Sequence, residues 1–521
     1  MGPGAVLPER IRPTRPWRPA LAGILALSAA LRFVNLLGAP GWHHDECVFV
    51  GQAWDFIHGR FVWDAVRHTF LPRLPLNYLT IGLGLLIFGK TVAVVRGLTA
   101  LYGVLTSFVL YRIGKELGSR KAGLWAAFFF AVCPYCVRMN RWGFSYNLLA
   151  LLLAAALLGG LAAARRPTLG RKALAAGAAA AAMFLEPLGV AAGVFVFALL
   201  LCVDRRRLWA WTLAMGAPIG GYAAFLLIAQ RELFLDDVRI ISQQRLAQEP
   251  PALLWLWFAR MMWLGVGAWS AFGLPGLLAV RRRGAFRVIV LFLGALWLFL
   301  QKATGADPGL FAREQILLMP LACVGLAALA VRYEALWASL ARERADGGRS
   351  GKGPGRWALG LAVGLLTANA AAALWRGLPN DLDHLCIRDR EGARAAADYV
   401  ARRVGPRDLV LTTHIGWMMP CRTASLMQMS LLEGGRGYSI FPTQDFRGRF
   451  VMDASLKAAR FVVTDEATRG MAADVRDLPE IMERVYAQWR PIFRAGRFTV
   501  WRNPREPRAQ DGAAPGREAE E

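Results

Sequence analysis

The chain has 521 residues, 55% of them hydrophobic, and a formal net charge of +25. Its mean hydropathy of +0.35, with several windows of about 20 residues almost free of charge, indicates a polytopic membrane protein and excludes a purely soluble one. Lys and Arg are concentrated in short loops between the apolar stretches, as the positive-inside rule explains, so nucleic acid is not an expected partner.

The apolar segments predict a membrane helical bundle. The first, at about 19–38, follows a basic N-terminal segment and is interpreted as an uncleaved anchor that begins in the cytoplasm. The others lie at 76–88, 92–112, 121–137, 146–164, 172–185, 187–203, 208–229, 255–280, 285–301, 315–332 and 357–375. The segment 76–88 is too short to cross comfortably, and as a surface helix it leaves the basic loops cytoplasmic. We therefore expect a mainly α protein with about 11 spans, the N-terminus inside and the C-terminus outside.

The tail differs in composition and predicts a small extracytoplasmic α/β domain at 377–505. An amphipathic helix is expected from Arg394 to Val404, strands are expected after Asp408 and from Ala459, and a hairpin should turn at Ala495–Gly496. Residues 1–376 then form the transmembrane module, with an outer loop at 39–91. Residues 506–521 have the composition of a disordered tail.

The seven cysteines carry little signal. Cys133 and Cys136 have the CxxC spacing of redox proteins, but they fall at the end of a membrane helix rather than in a βαβ unit. Cys386 and Cys421 lie in the tail, and the sequence leaves open whether they pair.

Adjacent carboxylates, Asp45 and Glu46, follow the first span in the run GWHHDECVF. Charge beside lipid is costly unless a partner or a function retains it. Apolar residues follow at once, which places the pair at the start of an amphipathic helix on the membrane surface. A solvated loop is the alternative, but the position favours a site. His43 and His44 with Glu46 could also hold a divalent metal, although no fourth ligand is evident.

Two cationic clusters are expected on the same outer face. Arg138 and Arg141 are three residues apart and share one side if they are helical; Asn147 follows. Anchoring to lipid headgroups is the alternative for this cluster. Lys302 and Arg313 flank the outer end of a later span. Arginine pairs well with phosphate because its fork donates two hydrogen bonds, so these clusters fit an anionic, lipid-anchored substrate.

The chain resembles the GT-C membrane glycosyltransferases over roughly residues 15–335. The resemblance rests on the outer Asp-Glu pair, the stretch from Pro75 to Gly89, and a helix ending Tyr-Arg-x-Gly-Lys-Glu-Leu-Gly. It continues with the runs Arg138 to Asn147 and Arg313 to Pro320. The similarity is to bacterial relatives of protein O-mannosyltransferases (glycosyltransferase family 39-like), aminoarabinose transferases and rhizobial galacturonosyltransferases.

The resemblance implies inverting transfer of a sugar from a polyprenyl-phosphate carrier at the outer face of the bacterial cytoplasmic membrane. It matches Asp45 to the catalytic aspartate, Arg138 and Arg141 to second-loop cations, and Arg313 to a cation near the carrier phosphate. Glu46 is grouped with Asp45, and His44, Asn147 and Lys302 with the substrate-binding residues. The second acidic residue that several members carry is replaced here by Ser145, Tyr146 and Asn147.

The chemistry is complete without that second acid. A phosphate leaves as a stable anion, so one carboxylate that accepts the acceptor's proton is enough, and the arginines stabilise the departing charge. The acceptor could be a lipid, a glycan or a protein, and the sugar is open. Two other interpretations are a transporter or flippase and a non-catalytic membrane scaffold. A transporter is less favoured because its charges tend to lie at the midplane between repeated halves.

Overall fold

The structure is a computed structural model that describes residues 17–38, 40–69, 74–241, 268–280, 282–303, 313–347, 386–434, 447–465, 468 and 477–505. These ranges are mainly helical. The helices before the tail are α1 (Trp17–Phe33), α2 (His44–Ile57), α3 (Pro75–Phe88), α4 (Val92–Leu117), α5 (Arg120–Val132), α6 (Pro134–Asn140), α7 (Tyr146–Arg165), α8 (Leu169–Leu185), α9 (Val190–Val203), α10 (Leu208–Ala229), α11 (Arg231–Ile241), α12 (Ala268–Gly276), α13 (Arg283–Ala303) and α14 (Met319–Gly347).

Among the described helices, five are long and apolar enough to cross a membrane: Val92–Leu117, Tyr146–Arg165, Arg205–Ala229, Arg283–Leu300 and Met319–Leu336. The pair α5 and α6 makes a sixth if it is one span bent by 64°. The bend falls where Pro134 follows Cys133, because proline cannot donate the hydrogen bond that would continue the helix. The predicted segments 255–280 and 357–375 lie partly or wholly outside the described residues. The count of about 11 spans therefore stays a prediction.

Small residues allow the helices to pack closely, as is common between membrane helices. A Cβ atom on Gly159 of α7 would lie 2.5 Å from the backbone nitrogen of Ala175 in α8. A Cβ on Gly114 of α4 would lie 2.7 Å from the Ala122 carbonyl oxygen at the start of α5. The apolar segments predicted at 172–185 and 187–203 are also separate helices, because α8 ends at Leu185 and the 3-10 turn Pro187–Gly189 leads into α9.

The outer loop contributes α2, α3 and two short strand pairs. Strands β2 (Val62–Trp63) and β3 (Val66–Arg67) form a hairpin, and β1 (Trp42–His43) precedes α2. Strand β1 pairs antiparallel with β4 (Cys386–Ile387), which opens the described part of the tail. The first outer loop and the tail are therefore joined by backbone hydrogen bonds immediately before Asp45.

The tail contains a five-stranded sheet in the order β6-β5-β7-β9-β8. Its strands are β5 (Leu409–Leu411), β6 (Arg422–Ala424), β7 (Ala459–Thr464), β8 (Arg490–Ala495) and β9 (Phe498–Arg502), and its helices are α15 (Arg390–Ala401), α16 (Leu426–Gly434) and α17 (Leu478–Gln488). Strand β5 pairs parallel with β6 and β7, whereas β9 pairs antiparallel with β7 and β8. The β8–β9 hairpin turns at Gly496, whose φ of +52° suits glycine. Residues 506–521 lie outside the described ranges.

The cysteine patterns have structural roles in the described residues. Cys133 and Cys136 are buried in the helical core around the bend, and Cys386 is buried in β4. No disulfide joins Cys386 to Cys421, both of which lie within the described residues.

Candidate functional site

A capping box fixes the first turn of α2. His43 precedes the helix and accepts a hydrogen bond at Nδ1 from the backbone N–H of Asp45, at 3.1 Å. The N–H of His43 donates in return to Oε1 of Glu46, at 2.7 Å. Reciprocal caps of this kind satisfy N–H groups that the start of a helix leaves without partners. The His43 ring is fully buried and serves as the helix cap.

Glu46 forms a buried ion pair with Arg96 of α4. Both side chains have 0% exposure, and Nε of Arg96 donates to the two carboxylate oxygens at 3.2 and 3.0 Å. The other guanidinium nitrogens of Arg96 donate to the carbonyl oxygens of Leu36, Pro40 and Gly41. One arginine thus ties the end of the first helical segment, the start of the outer loop and α2 to the wall of the bundle.

The second outer segment, residues 140–147, packs against this pair. The N–H of Gly143 donates to Oε2 of Glu46 at 2.8 Å. A Cβ atom on Gly143 would lie 2.9 Å from Cβ of Glu46 and 2.4 Å from Cγ1 of Val95, so the approach requires glycine. The indole N–H of Trp142 donates to the Gly41 carbonyl at 3.0 Å. The two outer segments therefore form one rigid frame.

Asn147 braces the same segment from inside. Its amide nitrogen donates to the carbonyl oxygens of Met139, Trp142 and Phe144, at 2.9, 3.0 and 3.1 Å. Its Oδ1 accepts from Nδ2 of Asn140 at 2.7 Å. These contacts occupy the Asn147 amide in holding the backbone turn rather than in lining a surface.

Asp45 forms an ion pair with Arg313, and this pair is less buried than the pair of Glu46 with Arg96. The exposed fractions are 23% for Asp45 and 11% for Arg313. The Arg313 guanidinium lies 5.6 Å from the centre of the Phe144 ring, which in turn lies 4.9 Å from the His43 ring. The carboxylate and the cation are therefore held together at the rim of the frame, with an aromatic ring beneath the cation.

Arg138 lies just before the second outer segment and Arg141 lies within it, and the two arginines have different surroundings. Arg141 donates to the carbonyl oxygens of Val34 and Asn35 at 2.8 and 2.6 Å, just beyond the end of α1. A cation is favourable there because the last carbonyls of a helix have no partner within it. Arg138 lies 4.9 Å over the Trp142 ring. Arg141 thus anchors α1, and Arg138 lies against the aromatic ring of the second segment.

Two buried carboxylates from distant segments meet the hydroxyls of the second segment. The Ser145 hydroxyl donates to Oε2 of Glu186 at 3.2 Å, and the Tyr146 hydroxyl donates to Oε1 of Glu314 at 3.2 Å. Both glutamates have 0% exposure. The stretch that lacks an acidic residue in sequence therefore has two acidic groups beside it in space.

Three candidates from the sequence remain, namely His44, Lys302 and a metal site. His44 is buried, and its ring lies 5.2 Å from that of His414 in the tail. Lys302 lies in the last turn of α13, where the structure describes only its backbone. Among the described residues, no group of three or more His, Cys, Asp or Glu side chains could hold a metal ion, so His43, His44 and Glu46 do not form a ligand set.

Several charged residues of the site were missed from the sequence. Arg96 and Arg32 both lie inside apolar helical stretches, and both have 0% exposure. Nε of Arg32 donates to Oδ1 of Asn140 at 2.9 Å, and its other nitrogens reach the carbonyls at the end of α5. A charge within an apolar helix signals a buried partner, so both arginines could have been identified. Glu186 and Glu314 adjoin Pro187 and Arg313 and carried no comparable signal.

The family comparison covers part of the chain. Residues 72–230 match the sequence family described as dolichyl-phosphate-mannose-protein mannosyltransferase. No curated protein sequence matches the chain at a significant level.

The fold comparison covers nearly all of it. ArnT from Cupriavidus metallidurans bound to undecaprenyl phosphate is similar with a TM-score of 0.59 and 16% identity, over 93% of this chain and 97% of that one. Archaeal oligosaccharyltransferase AglB from Archaeoglobus fulgidus, in complex with an inhibitory peptide and a dolichol-phosphate, gives 0.54 and 15%, over 95% and 75%. The match to the mannosyltransferase family at 72–230 and the fold shared with ArnT confirm the predicted resemblance to the GT-C membrane glycosyltransferases.

Proposed function

We propose that the protein transfers a sugar, with inversion, from a polyprenyl-phosphate carrier to an acceptor hydroxyl at the outer face of the bacterial cytoplasmic membrane. The observation that carries the proposal is the contact between Asp45 and Arg313 at the rim of a rigid frame. In this reaction a base and a phosphate-binding cation act at the same anomeric carbon, on its opposite faces, so both belong in one site. The undecaprenyl phosphate bound by the ArnT neighbour supports a polyprenyl-phosphate donor here.

In the proposed step the acceptor oxygen attacks the anomeric carbon from the face opposite the phosphate, and its proton passes to the carboxylate of Asp45. The bond between the anomeric carbon and the phosphate oxygen breaks, and the carrier phosphate departs with the electron pair. No general acid is required, because the phosphate is already stable as an anion.

Arg313 can serve both groups at once. A guanidinium carries five N–H donors in a planar fork, and the contact with Asp45 uses Nη1. Because a guanidinium has further donors, the same side chain can hold the base and stabilise charge that develops on the phosphate. Arg138 lies in the neighbouring segment as a second cation. We assign Glu46 and Arg141 to holding the frame rather than to touching substrate.

The outer frame and the tail then belong on one side of the membrane, with membrane lipids around the bundle. The tail from 386 onward is the proposed extracytoplasmic α/β domain, since β4 pairs with β1 of the outer loop. A lipid, a glycan or a protein fits the general reaction as acceptor. The proposed step uses only side chains of the protein. Chelation tests whether a divalent ion is required in addition.

The experiment that tests the proposal measures the turnover of sugar transfer by the purified Asp45→Asn variant. The substrates are a labelled polyprenyl-phosphate sugar and acceptor membranes from cells that lack the protein. We expect turnover to fall by about 10²- to 10⁴-fold, because the change removes the base and keeps the shape. Asp398→Asn, on the exposed face of α15, is the matched control and should transfer normally. Near-normal turnover by Asp45→Asn would show that this carboxylate is not the base.

A further inference from the structure

The tail presents a histidine–aspartate pair at the carboxyl edge of its sheet. His414 follows β5 and Asp465 follows β7, and these strands are parallel neighbours. Nδ1 of His414 lies 2.9 Å from Oδ2 of Asp465, with exposed fractions of 0% and 5%. Oδ1 of Asp465 accepts hydrogen bonds from the N–H and hydroxyl of Thr468. Carboxyl ends of parallel strands are where open α/β sheets commonly bind ligands.

The pair faces the reacting end of α2. The His414 ring meets the His44 ring edge-on, at 5.2 Å and 76°. His44 immediately precedes Asp45 in the chain, so the sheet edge packs beside the first turn of the helix that carries the proposed base. Burial raises the pKa of Asp465, but His414 and Thr468 outweigh it and hold that pKa below its usual value. Asp465 is thus a fixed anion that orients His414.

A cavity of about 500 Å³ opens beside these rings, between α2 and the sheet edge. One face of α2 lines it, through Cys47, Gly51, Trp54 and Asp55. The tail lines the opposite wall, with His414 among its residues. The volume falls in the range of cavities that hold small ligands.

Two buried histidine nitrogens point to an occupant, one on His414, which lines the cavity, and one on His44, whose ring packs against that of His414. Nε2 of His414 and Nδ1 of His44 are both buried and have no hydrogen-bond partner among the described residues. A buried polar atom left without a partner costs free energy, so such atoms usually meet a ligand or an ordered water. Nδ1 of His414 is in close ionic contact with Asp465, so Nε2 is the ring nitrogen left to bond a hydroxyl.

We propose that this cavity is the acceptor site, that it takes a sugar unit, and that His414 and His44 bind the hydroxyl that is glycosylated. The inference rests on the proposed function, because it names the acceptor of that reaction. Asp465 is a positioning residue that acts through His414. The hydroxyl, received at the histidine end of the cavity, passes its proton to Asp45 as its oxygen attacks the donor.

The lining favours a sugar over an acyl chain or an apolar peptide side chain. Trp54 and Trp417 supply flat apolar faces, which suit the C–H face of a pyranose ring. Asp55, Asp64 and Lys90 supply charged groups that hydrogen-bond hydroxyls and would be costly to cover with hydrocarbon. Burial is the main cause that raises the pKa of Asp64 to about 7, and the charge of Asp55 adds to it. Asp64 can therefore donate a hydrogen bond as well as accept one near neutral pH.

The first test removes the aromatic faces. Trp54→Ala and Trp417→Ala should each raise the half-saturating amount of acceptor membranes by about 10-fold and leave the KM for the polyprenyl-phosphate sugar unchanged. Trp209→Ala is the control, because Trp209 is 70% exposed in α10, away from the cavity. Unchanged acceptor saturation in both cavity variants would overturn the inference. Asp465→Asn should lower acceptor-dependent turnover and leave donor KM unchanged, whereas a general folding defect would alter both.

The second test uses a cysteine of the cavity wall. Cys421 is partly exposed and lines the cavity, and burial raises the pKa of its thiol to about 11, so N-ethylmaleimide should block it more completely as the pH is raised. We expect the ratio of treated to untreated transfer to fall at least about 10-fold in the native chain and to stay near one in Cys421→Ser. The exposed Cys202 is present in both chains and serves as the internal control.

Protection from the reagent identifies the class of acceptor. Methyl glycosides at high concentration should slow alkylation of Cys421, whereas short hydroxyl-bearing peptides and detergent–lipid micelles should not. Protection by the peptides or the micelles alone would replace the sugar by that class and overturn the proposal. If the native protein transfers sugar but neither tryptophan variant nor alkylation alters acceptor use, the acceptor-site inference fails and the proposed function stands. If the native protein does not use the donor at all, the proposed function itself fails.

Discussion

Asp45 and Glu46 are neighbours with the same charge, and the fold gives them opposite surroundings. Glu46 and Arg96 are both 0% exposed and share their hydrogen bonds with three backbone carbonyls and the N–H of Gly143. Asp45 and Arg313 keep 23% and 11% of their surfaces exposed, and their partners are side chains at the rim. The first pair can only hold the fold, whereas the second can exchange partners with a substrate.

The difference follows from helix geometry. Adjacent residues on a helix point about 100° apart. The two carboxylates of this doublet therefore face different surroundings. One of them turns toward the bundle, where an arginine from α4 compensates its burial. A two-residue acidic motif in such a loop is better understood as one structural and one reactive group.

The largest expected effect on the fold comes from the inner pair. Glu46→Gln leaves the Arg96 charge buried without its counterion, and breaking a buried pair in this way typically costs about 3–5 kcal/mol. We expect a markedly lower thermal midpoint in detergent, measured by intrinsic fluorescence. Arg96→Met combined with Glu46→Gln should be less destabilised than the sum of the single variants, because no charge is left unpaired. Glu391→Gln, on an exposed position of α15, is the control.

The outer pair should respond in the opposite sense. Arg313→Gln removes the cation that we propose faces the phosphate, and it should lower kcat/KM for the donor by about 10²- to 10³-fold. Its thermal midpoint should stay close to that of the native protein, because the pair is partly solvated. Arg141→Gln is the matched comparison: it anchors α1, so it should lower the midpoint and leave donor KM unchanged. A large loss of stability in Arg313→Gln with normal donor kinetics would reverse the assignment of the two pairs.

A smaller effect concerns pH. Burial is the main cause that lowers the pKa of His44 to about 4, and the neighbouring His414 lowers it further. The unfolded chain binds a proton at His44 below about pH 6.5 and the folded chain does not, so stability falls as pH decreases from about 6.5 toward 4. The thermal midpoint should therefore drop between pH 7 and pH 5, and His44→Gln should reduce that drop. His58→Gln, at an exposed position after α2, should retain it.

The sequence predicted the elements better than the contacts. The helix after Asp45, the break at Pro187 and the hairpin turning near Gly496 follow from local rules on apolar runs, proline and glycine, and all three are present. The prediction that Arg138 and Arg141 act as a pair rested on their spacing alone. Their partners, the Trp142 ring and the carbonyls after α1, depend on how distant segments pack. Short-range spacing carries no information on such partners.

The tail's contribution to the site was also beyond the sequence. His414 and Asp465 are about 50 residues apart, and nothing in their flanking residues marks them as a pair. They come together because β5 and β7 are parallel neighbours, a register that becomes visible only in the folded sheet. The same holds for His44, which reaches them only because the tail packs on the first outer loop.

The antiparallel pairing of β1 with β4 joins His43 to Cys386. These residues lie roughly 340 positions apart in the chain. At a synthesis rate of about 5–20 residues per second, the ribosome needs roughly 20–70 s to make the second strand after the first. Throughout that interval the segment bearing Asp45 lacks one of its backbone partners. The outer loop that carries Asp45 is therefore completed late in biogenesis, and a chain cut short before residue 386 would insert its helices and yet leave that loop unfinished.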